Sequence, residues 1–181
     1  MYGMINEAMR RLVTETSGEQ VWSRIAARAD TTEHFAMLHY YDDAITYDLV
    51  AAASIELEIP ADDLLRGFGH YWSMRVGPEN YRDILGATGT DVISVLTNLD
   101  EMHARIQDLY PDLRPPSFEV HAVDGSGIEV HYRSVREGLA PFVVGLLEGL
   151  GDLYGTPAVV TQVSQKTAAQ PYDVFHVGLG T

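Results

Sequence analysis

The chain predicts an α+β domain in which helices come first and an antiparallel sheet follows. Two periodicities predict it. Over the first two-thirds, apolar residues recur three and four positions apart, the spacing of a helix face. In the last third the pattern switches to alternation between turn-forming residues, the spacing of half-buried strands. The 181 residues suffice for one compact domain with a core. Helices grouped before strands suit an α+β layer rather than alternating βαβ units. No internal repeat, linker or low-complexity tract divides the sequence.

The elements follow in order. Met4, Ala8, Arg11, Leu12 and Glu15 suggest a short helix ending near residues 16–18. Ser17 is placed to cap the next, in which Val21, Trp22, Ile25 and Ala29 form an apolar stripe. Residues 34–41 are ambiguous. Residues 42–58 read as a helix with Ile45, Leu49, Ala52 and Ala53 on one side, stopped by Ile59-Pro60. Asp62 and Asp63 open another, carrying Leu64, Leu65, Phe68 and Trp72, which Gly77-Pro78 is expected to end. A short helix over 80–85 runs into a loop over 86–89. The strongest helix is 91–110, where Val92, Val95, Leu96, Leu99, Met102, Ile106 and Leu109 repeat as a buried face. Pro111, Pro115 and Pro116 break the chain after it. Residues 117–123 and 127–135 read as a hairpin joined by Asp124-Gly125-Ser126. Residues 138–154 form an apolar helix that tolerates Pro141 in its first turn. Residues 158–165 and 173–179 are two further strands.

Composition narrows function. Twelve basic against 26 acidic residues give a formal charge of −14. Such a surface repels phosphate backbones and anionic headgroups, so neither nucleic acid nor a membrane surface is an expected partner. The chain has no cysteine, which removes disulfides, thiolate metal sites and thiol catalysis together. Thiolate heme ligation goes with them, leaving His, Tyr or Met. Residues 1–11 lack the features of a signal peptide, and no apolar run approaches the ~20 residues of a membrane span. The expected setting is the cytoplasm.

His103 lies inside the apolar stripe of 91–110, one turn from Leu99 and Ile106. A lone histidine there is either a packed core residue or an axial ligand to heme iron, which an apolar surround keeps neutral and dry. Ile128, Val130, Tyr132, Ser134 and Arg136 share one face of the strand if it persists to Arg136. That stripe ends in a phenol, a hydroxyl and a guanidinium, which can together clamp a carboxylate. An ordinary strand reaching solvent gives the same pattern. His121 and His131 can face each other across the hairpin, but two ligands are too few for structural zinc. Gly145 and Gly149 suit close helix packing. No phosphate-binding glycine loop and no nucleophile–base–acid set is apparent.

Six stretches, in order along the chain, then carry a resemblance. They are Met1-Tyr2-Gly3-Met4-Ile5-Asn6, Tyr47-Asp48-Leu49-Val50-Ala51-Ala52-Ala53-Ser54, Phe68-Gly69-His70-Tyr71-Trp72, Asn98-Leu99-Asp100-Glu101-Met102-His103, Arg114-Pro115-Pro116-Ser117-Phe118 and His131-Tyr132-Arg133-Ser134-Val135-Arg136-Glu137-Gly138-Leu139. Together they resemble the H-NOX family, the heme nitric oxide/oxygen-binding domains that include the sensor of soluble guanylate cyclase. The resemblance implies heme b held between a distal helical subdomain (1–60) and a region of proximal helices plus sheet (61–181). It implies His103 as proximal ligand and Tyr132, Ser134 and Arg136 as a propionate clamp. It implies Pro116 as a residue pressing the porphyrin out of plane, and Ile5 packed beside the heme. Met1, Leu99, Leu146, Trp72 and Phe142 complete the implied lining.

The same resemblance implies a gas. Oxygen-binding members carry a distal tyrosine three residues before a helix glycine. Counting back from Gly145, that position is Phe142, which cannot donate. A charge-assisted hydrogen bond to bound oxygen contributes ~1.5–3 kcal/mol, on the order of ten- to a hundredfold in affinity. The chain therefore resembles the branch that senses NO, with CO as a second ligand. Trp72 either packs or turns its indole N–H to a distal ligand. NO weakens the bond to the trans ligand, so release of His103 is the implied switch. With no output domain after Thr181, the implied partner is a separate histidine kinase or cyclic-dinucleotide enzyme. The chain is then a sensor and not an enzyme. The rivals are a peroxide- or NO-handling heme enzyme, for which His70 is the nearest distal candidate, an O₂-binding H-NOX domain, and a heme-free module of the same fold.

Overall fold

A computed structural model describes every residue except 109, 111, 124–126 and 181, and the side chains of Ala122 and Val123. The expected apolar position Leu109, the break at Pro111 and the Asp124-Gly125-Ser126 turn therefore lie outside the described residues. The chain forms two compact units, Met1–Phe68 and Gly69–Thr181. They divide within a helix, whereas the expected subdomain boundary falls at 60/61.

The first unit is helical. α1 (Gly3–Ser17) ends at Gly18, whose φ of 89° is a conformation glycine adopts without penalty. The expected cap at Ser17 is corrected. Ser17 is still helical, and Gly18 is the N-cap of α2 (Glu19–Arg28) without a side-chain bond. Trp22 and Ile25 of the predicted stripe are buried. Residues 34–41 are irregular apart from a single bridge between Tyr2 and Tyr40. α3 (Asp43–Leu57) is capped by Asp42, whose side chain accepts from the Ala44 N–H at 2.8 Å. It stops at Glu58, in the left-handed region, just before Ile59-Pro60. Leu49, Ala52 and Ala53 give α3 its buried side, and α1 and α2 pack with it.

α4 (Ala61–Tyr71) carries the chain into the second unit. Gly77-Pro78 does not end the helical run, as the sequence had suggested. A π-helical segment, Trp72–Val76, follows α4, and Pro78 then sits in the first turn of the short α5 (Gly77–Asn80). Proline costs a helix little there, because an N–H in the first turn has no intrahelical partner. α6 (Arg82–Thr88) and α7 (Val92–Gln107) come next, then β1 (Ser117–Val123) and β2 (Gly127–Arg133). α8 (Ala140–Leu153), β3 (Ala158–Ser164) and β4 (Asp173–Leu179) complete the unit. Pro141 lies in the first turn of α8, as predicted.

The four strands form one antiparallel sheet in the order β1-β2-β4-β3. Alternation sends Phe118, Ile128, Val130, Tyr132, Phe175 and Val177 into the core, against Val95, Leu96 and Leu99 of α7 and Val143, Leu147 and Leu150 of α8. β2 stops at Arg133, not at 135, because the next residues turn away and bond to a distant lysine described below.

Two glycines set the close approach between α8 and the helical run beside it. A Cβ on Gly69 would lie 2.0 Å from the Phe142 carbonyl oxygen, and one on Gly149 would lie 2.8 Å from the Ser73 Cβ. Gly149 thus performs the close packing its sequence context suggested. Gly69→Ala is expected to destabilise by about 1–3 kcal/mol, since backbone must move. Gly67→Ala, two residues earlier on α4 with nothing within 4 Å of the added Cβ, is expected to stabilise by about 0.5–1 kcal/mol through helix propensity. Denaturant midpoints of the two variants should move in opposite directions.

Candidate functional site

α7 positions the candidate histidine. It begins with a capping box: Asp91 accepts from the Ser94 N–H at 2.8 Å, and the Ser94 hydroxyl accepts from the Asp91 N–H at 3.1 Å. These bonds hold the Asp91 carboxyl below its ordinary pKa. Val92, Val95, Leu96 and Leu99 are buried along one side, and His103 continues that side one turn after Leu99. His103 is half-buried, and its Nδ1 lies 3.2 Å from the Pro116 carbonyl oxygen. The carbonyl can only accept, so Nδ1 carries the proton and Nε2 keeps its lone pair. Among the described residues, Nε2 has no hydrogen-bond partner. Burial pushes the His103 pKa down, against smaller upward pulls from the Pro116 carbonyl and the Asp100 carboxylate. The imidazole is therefore neutral at pH 7.

Asp100, one turn before His103, grips the same segment. Its Oδ1 accepts from the Phe118 N–H at 2.9 Å, and its Oδ2 accepts from the Ser117 hydroxyl. Two residues of α7 thus hold 116–118, the entry to β1. Sequence reasoning gave Asp100 no role. The signal was a carboxylate at i−3 from the histidine, which on a helix lies on the same side.

The expected clamp divides in two. Tyr132 is on β2 and buried, with its ring 5.3 Å from that of Phe118. Ser134 and Arg136 lie beyond the strand, so the three side chains do not share one pleated face. The Ser134 hydroxyl accepts from the Arg136 N–H at 3.1 Å, and Arg136 Nη1 donates to the Arg114 carbonyl at 2.8 Å. Lys166 fastens this loop: its Nζ donates to the carbonyls of Ser134 (3.1 Å) and Arg136 (3.0 Å) and pairs with Glu137 (2.8 Å). Lys166 was invisible in the sequence because the contact spans about thirty residues with no local pattern.

Phe142 and Leu146 are half-buried on α8, and Trp72 is half-buried on the π-helical segment. The Ser73 hydroxyl donates to the Leu146 carbonyl at 2.8 Å, which ties that segment to α8. His70 Nε2 lies 2.8 Å from Asp152 Oδ2, at the surface. In the other unit, Met1 is buried, its amino group donating to the Tyr41 carbonyl, and Ile5 is half-buried on α1.

The model of the family described as Haem-NO-binding matches residues 2–162. The chain belongs to this family, the H-NOX family. It is an H-NOX heme-binding sensor domain related to the soluble guanylate cyclases. It is 29% identical over 155 residues to soluble guanylate cyclase gcy-32 of Caenorhabditis elegans, covering 82% of this chain and 22% of that protein. It is 25% identical over 157 residues to soluble guanylate cyclase 89Db of Drosophila melanogaster, covering 86% and 24%. The chain thus spans about a quarter of the length of these curated relatives. Solved H-NOX structures share the fold. The Fe(II) unliganded H-NOX protein from K. algicida matches with TM-score 0.84 at 20% identity, covering 100% of this chain and 97% of that one. The Fe(II)NO form of the S. oneidensis protein gives 0.87 at 17%, covering 100% of both. An oxygen-binding H-NOX domain related to soluble guanylate cyclases, in its oxygen complex, gives 0.83 at 17%, covering 100% and 96%.

The residues present suit the heme of an H-NOX domain. A neutral imidazole whose Nδ1–H is bonded to a carbonyl is the usual arrangement of a histidine that ligates metal through Nε2. Among the described residues of this unit, no helix is long and apolar enough to cross a membrane, and the same holds in the other.

Protonation of His103 should be visible in stability. Its folded-state pKa lies below that of the unfolded chain, so as pH falls below about 6.5 the unfolded state takes up the proton first and stability drops. The heme-free wild-type protein should therefore lose stability between about pH 6.5 and 5 more steeply than heme-free His103→Leu, by up to about 1.4 kcal/mol per pH unit. Denaturant midpoints of both proteins across that range check the sign.

Proposed function

We propose that this H-NOX domain binds heme b through His103 Nε2 and senses NO, with CO as a second gas ligand and little stable O₂ binding. The observation that carries the reading is the bond between His103 Nδ1 and the Pro116 carbonyl. It fixes the tautomer and aims the lone pair, which raises the basicity of a ligand and steadies its ring. When bound at His103 Nε2, the heme would supply the iron at which a gas can bind.

The chain's own residues then do the rest. His103 and Asp100 both hold 116–118, so movement of the His103 ring on release of Nε2 would pass through its Nδ1–H bond with the Pro116 carbonyl to the entry of β1. That makes the α7–β1 junction the bistable element that a ligand biases. Tyr132, Ser134 and Arg136 are proposed to hold the propionates, with Lys166 keeping the 134–137 loop in place. Pro116, Leu99, Leu146 and Trp72 supply apolar surface, whose burial gives affinity while polar groups fix orientation. Phe142 offers no donor for bound oxygen, which supports NO over O₂. Sensing rather than catalysis is supported by His70, whose ring is engaged with Asp152 at the surface and not offered as a proton relay. We place the domain in the cytoplasm, signalling to a partner of the histidine kinase or cyclic-dinucleotide enzyme class, as the family resemblance implies.

Absorption spectra of the reduced protein under argon, air, CO and NO test the reading. The expected outcome is new Soret bands with CO and NO and an unchanged spectrum in air. A stable oxygenated spectrum contradicts NO selectivity. A Soret band with NO that keeps the position of doubly ligated iron contradicts release of His103. In His103→Gly, retention of colour should come to depend on added imidazole. An unaltered spectrum in that variant would show that another residue ligates the iron.

A further inference from the structure

The outward side of the sheet carries a set of metal-binding side chains that the heme site does not use. Alternation turns Glu119 and His121 of β1, and Glu129 and His131 of β2, away from the core. The antiparallel register sets Glu119 opposite His131 and His121 opposite Glu129. His121 and His131 are diagonal neighbours, with ring centroids 4.3 Å apart at 40°. The sequence had paired these two histidines and set them aside as two ligands only. The fold adds the third.

One donor atom each from Glu119, His121 and His131 lies within 4.8 Å of the other two. Imidazole nitrogens and a carboxylate oxygen bond zinc at about 2.0–2.2 Å, so modest side-chain rotation lets all three reach one ion. The surroundings pre-arrange them. Arg133 Nη1 donates to Glu119 Oε2 at 2.9 Å, which leaves Oε1 facing the histidines. The Tyr172 ring stacks on His131 at 4.5 Å and 17°, and Arg133 lies 4.5 Å from the same ring. His131 Nε2 meets Glu129 Oε1 at 2.7 Å, the carboxylate partner common behind metal-bound imidazoles.

A second observation points to a ligand. His121 Nε2 is shielded from solvent yet makes no hydrogen bond among the described residues. It comes within 3.2 Å of Glu119 Oε1 without hydrogen-bond geometry. The contact is an ion pair only when the ring is protonated, and with the ring neutral both atoms can turn to a shared third atom. Other charges near the group are Arg133 and Glu129. The two carboxylates outweigh the one guanidinium, so a cation is favoured over an anion.

We propose that Glu119, His121 and His131 bind one divalent transition-metal ion, of which zinc is the type, on the outer side of the sheet and independently of the heme. Two nitrogens and one oxygen suit zinc, nickel or copper better than magnesium or calcium. Three protein ligands leave a fourth position for water or for a side chain of a docking protein.

Calorimetric titration of tag-free, heme-loaded protein with Zn²⁺ tests this. One saturable Zn²⁺ per chain is expected. His121→Ala and His131→Ala should each weaken it by more than about tenfold, since loss of an outer-shell partner alone costs that much. His34→Ala, in the other unit, should leave it unchanged. Soret and circular dichroism spectra verify that each variant is folded and loaded. Glu119→Gln, at an exposed position, gives a third reading that does not disturb a ring. If the wild-type protein takes up no Zn²⁺, the proposal is wrong. Uptake that persists unchanged in a folded His121→Ala/His131→Ala protein, or in Glu119→Gln, overturns it as well.

Discussion

The hold of α7 on residues 116–118 is the constraint around which the second unit is arranged. His103 and Asp100, one turn apart, reach the same three residues, one through a carbonyl and the other through a backbone N–H and a hydroxyl. A backbone carbonyl cannot take a proton, so the tautomer of His103 is decided by the main chain and not by pH. The capping box at Asp91 starts the helix in register, and the buried run from Val92 to Leu99 seats it on the sheet. Everything asked of His103 as a ligand depends on that seating.

How much of this was legible depends on the range of each interaction. The α+β order, the long helix with His103 on its buried side and all four strands followed from local periodicity. Asp91 and Asp42 behave as the short acceptors that begin helices. The misreadings are also physical. Gly77-Pro78 resembles a stop signal, but proline at a first turn allows a new helix to begin, and the π-helical segment bridges the two. Ser17 looks like a cap, but Gly18 takes the positive φ and with it the cap position. The strand through Tyr132 was read two residues too far, because Lys166 pulls Ser134 and Arg136 out of the pleat from the far side of the sheet. No local pattern announces a contact of that separation.

Family membership rests on a match over residues 2–162 and is far more specific than any single motif. It makes the heme-binding reading of the domain secure while leaving the choice of gas to individual side chains. Neighbours of the same fold include one solved with NO and one solved with oxygen. At identities of 17%, backbone similarity cannot distinguish them. The discrimination proposed for this chain therefore falls on Phe142 and Trp72, whose differences from an oxygen-stabilising set are matters of one hydroxyl or one indole N–H.

The near-contact of Gly69 with the Phe142 carbonyl has a bearing on how such a pocket could diversify. Helix spacing at that point is dictated by main chain against main chain, with no side chain acting as the spacer. The phenyl group of residue 142 is consequently not what sets the separation of the two helices there. A lineage, or an engineer, could retune ligand chemistry at that position while the scaffold stays where it is, provided that the small residue across from it is left alone.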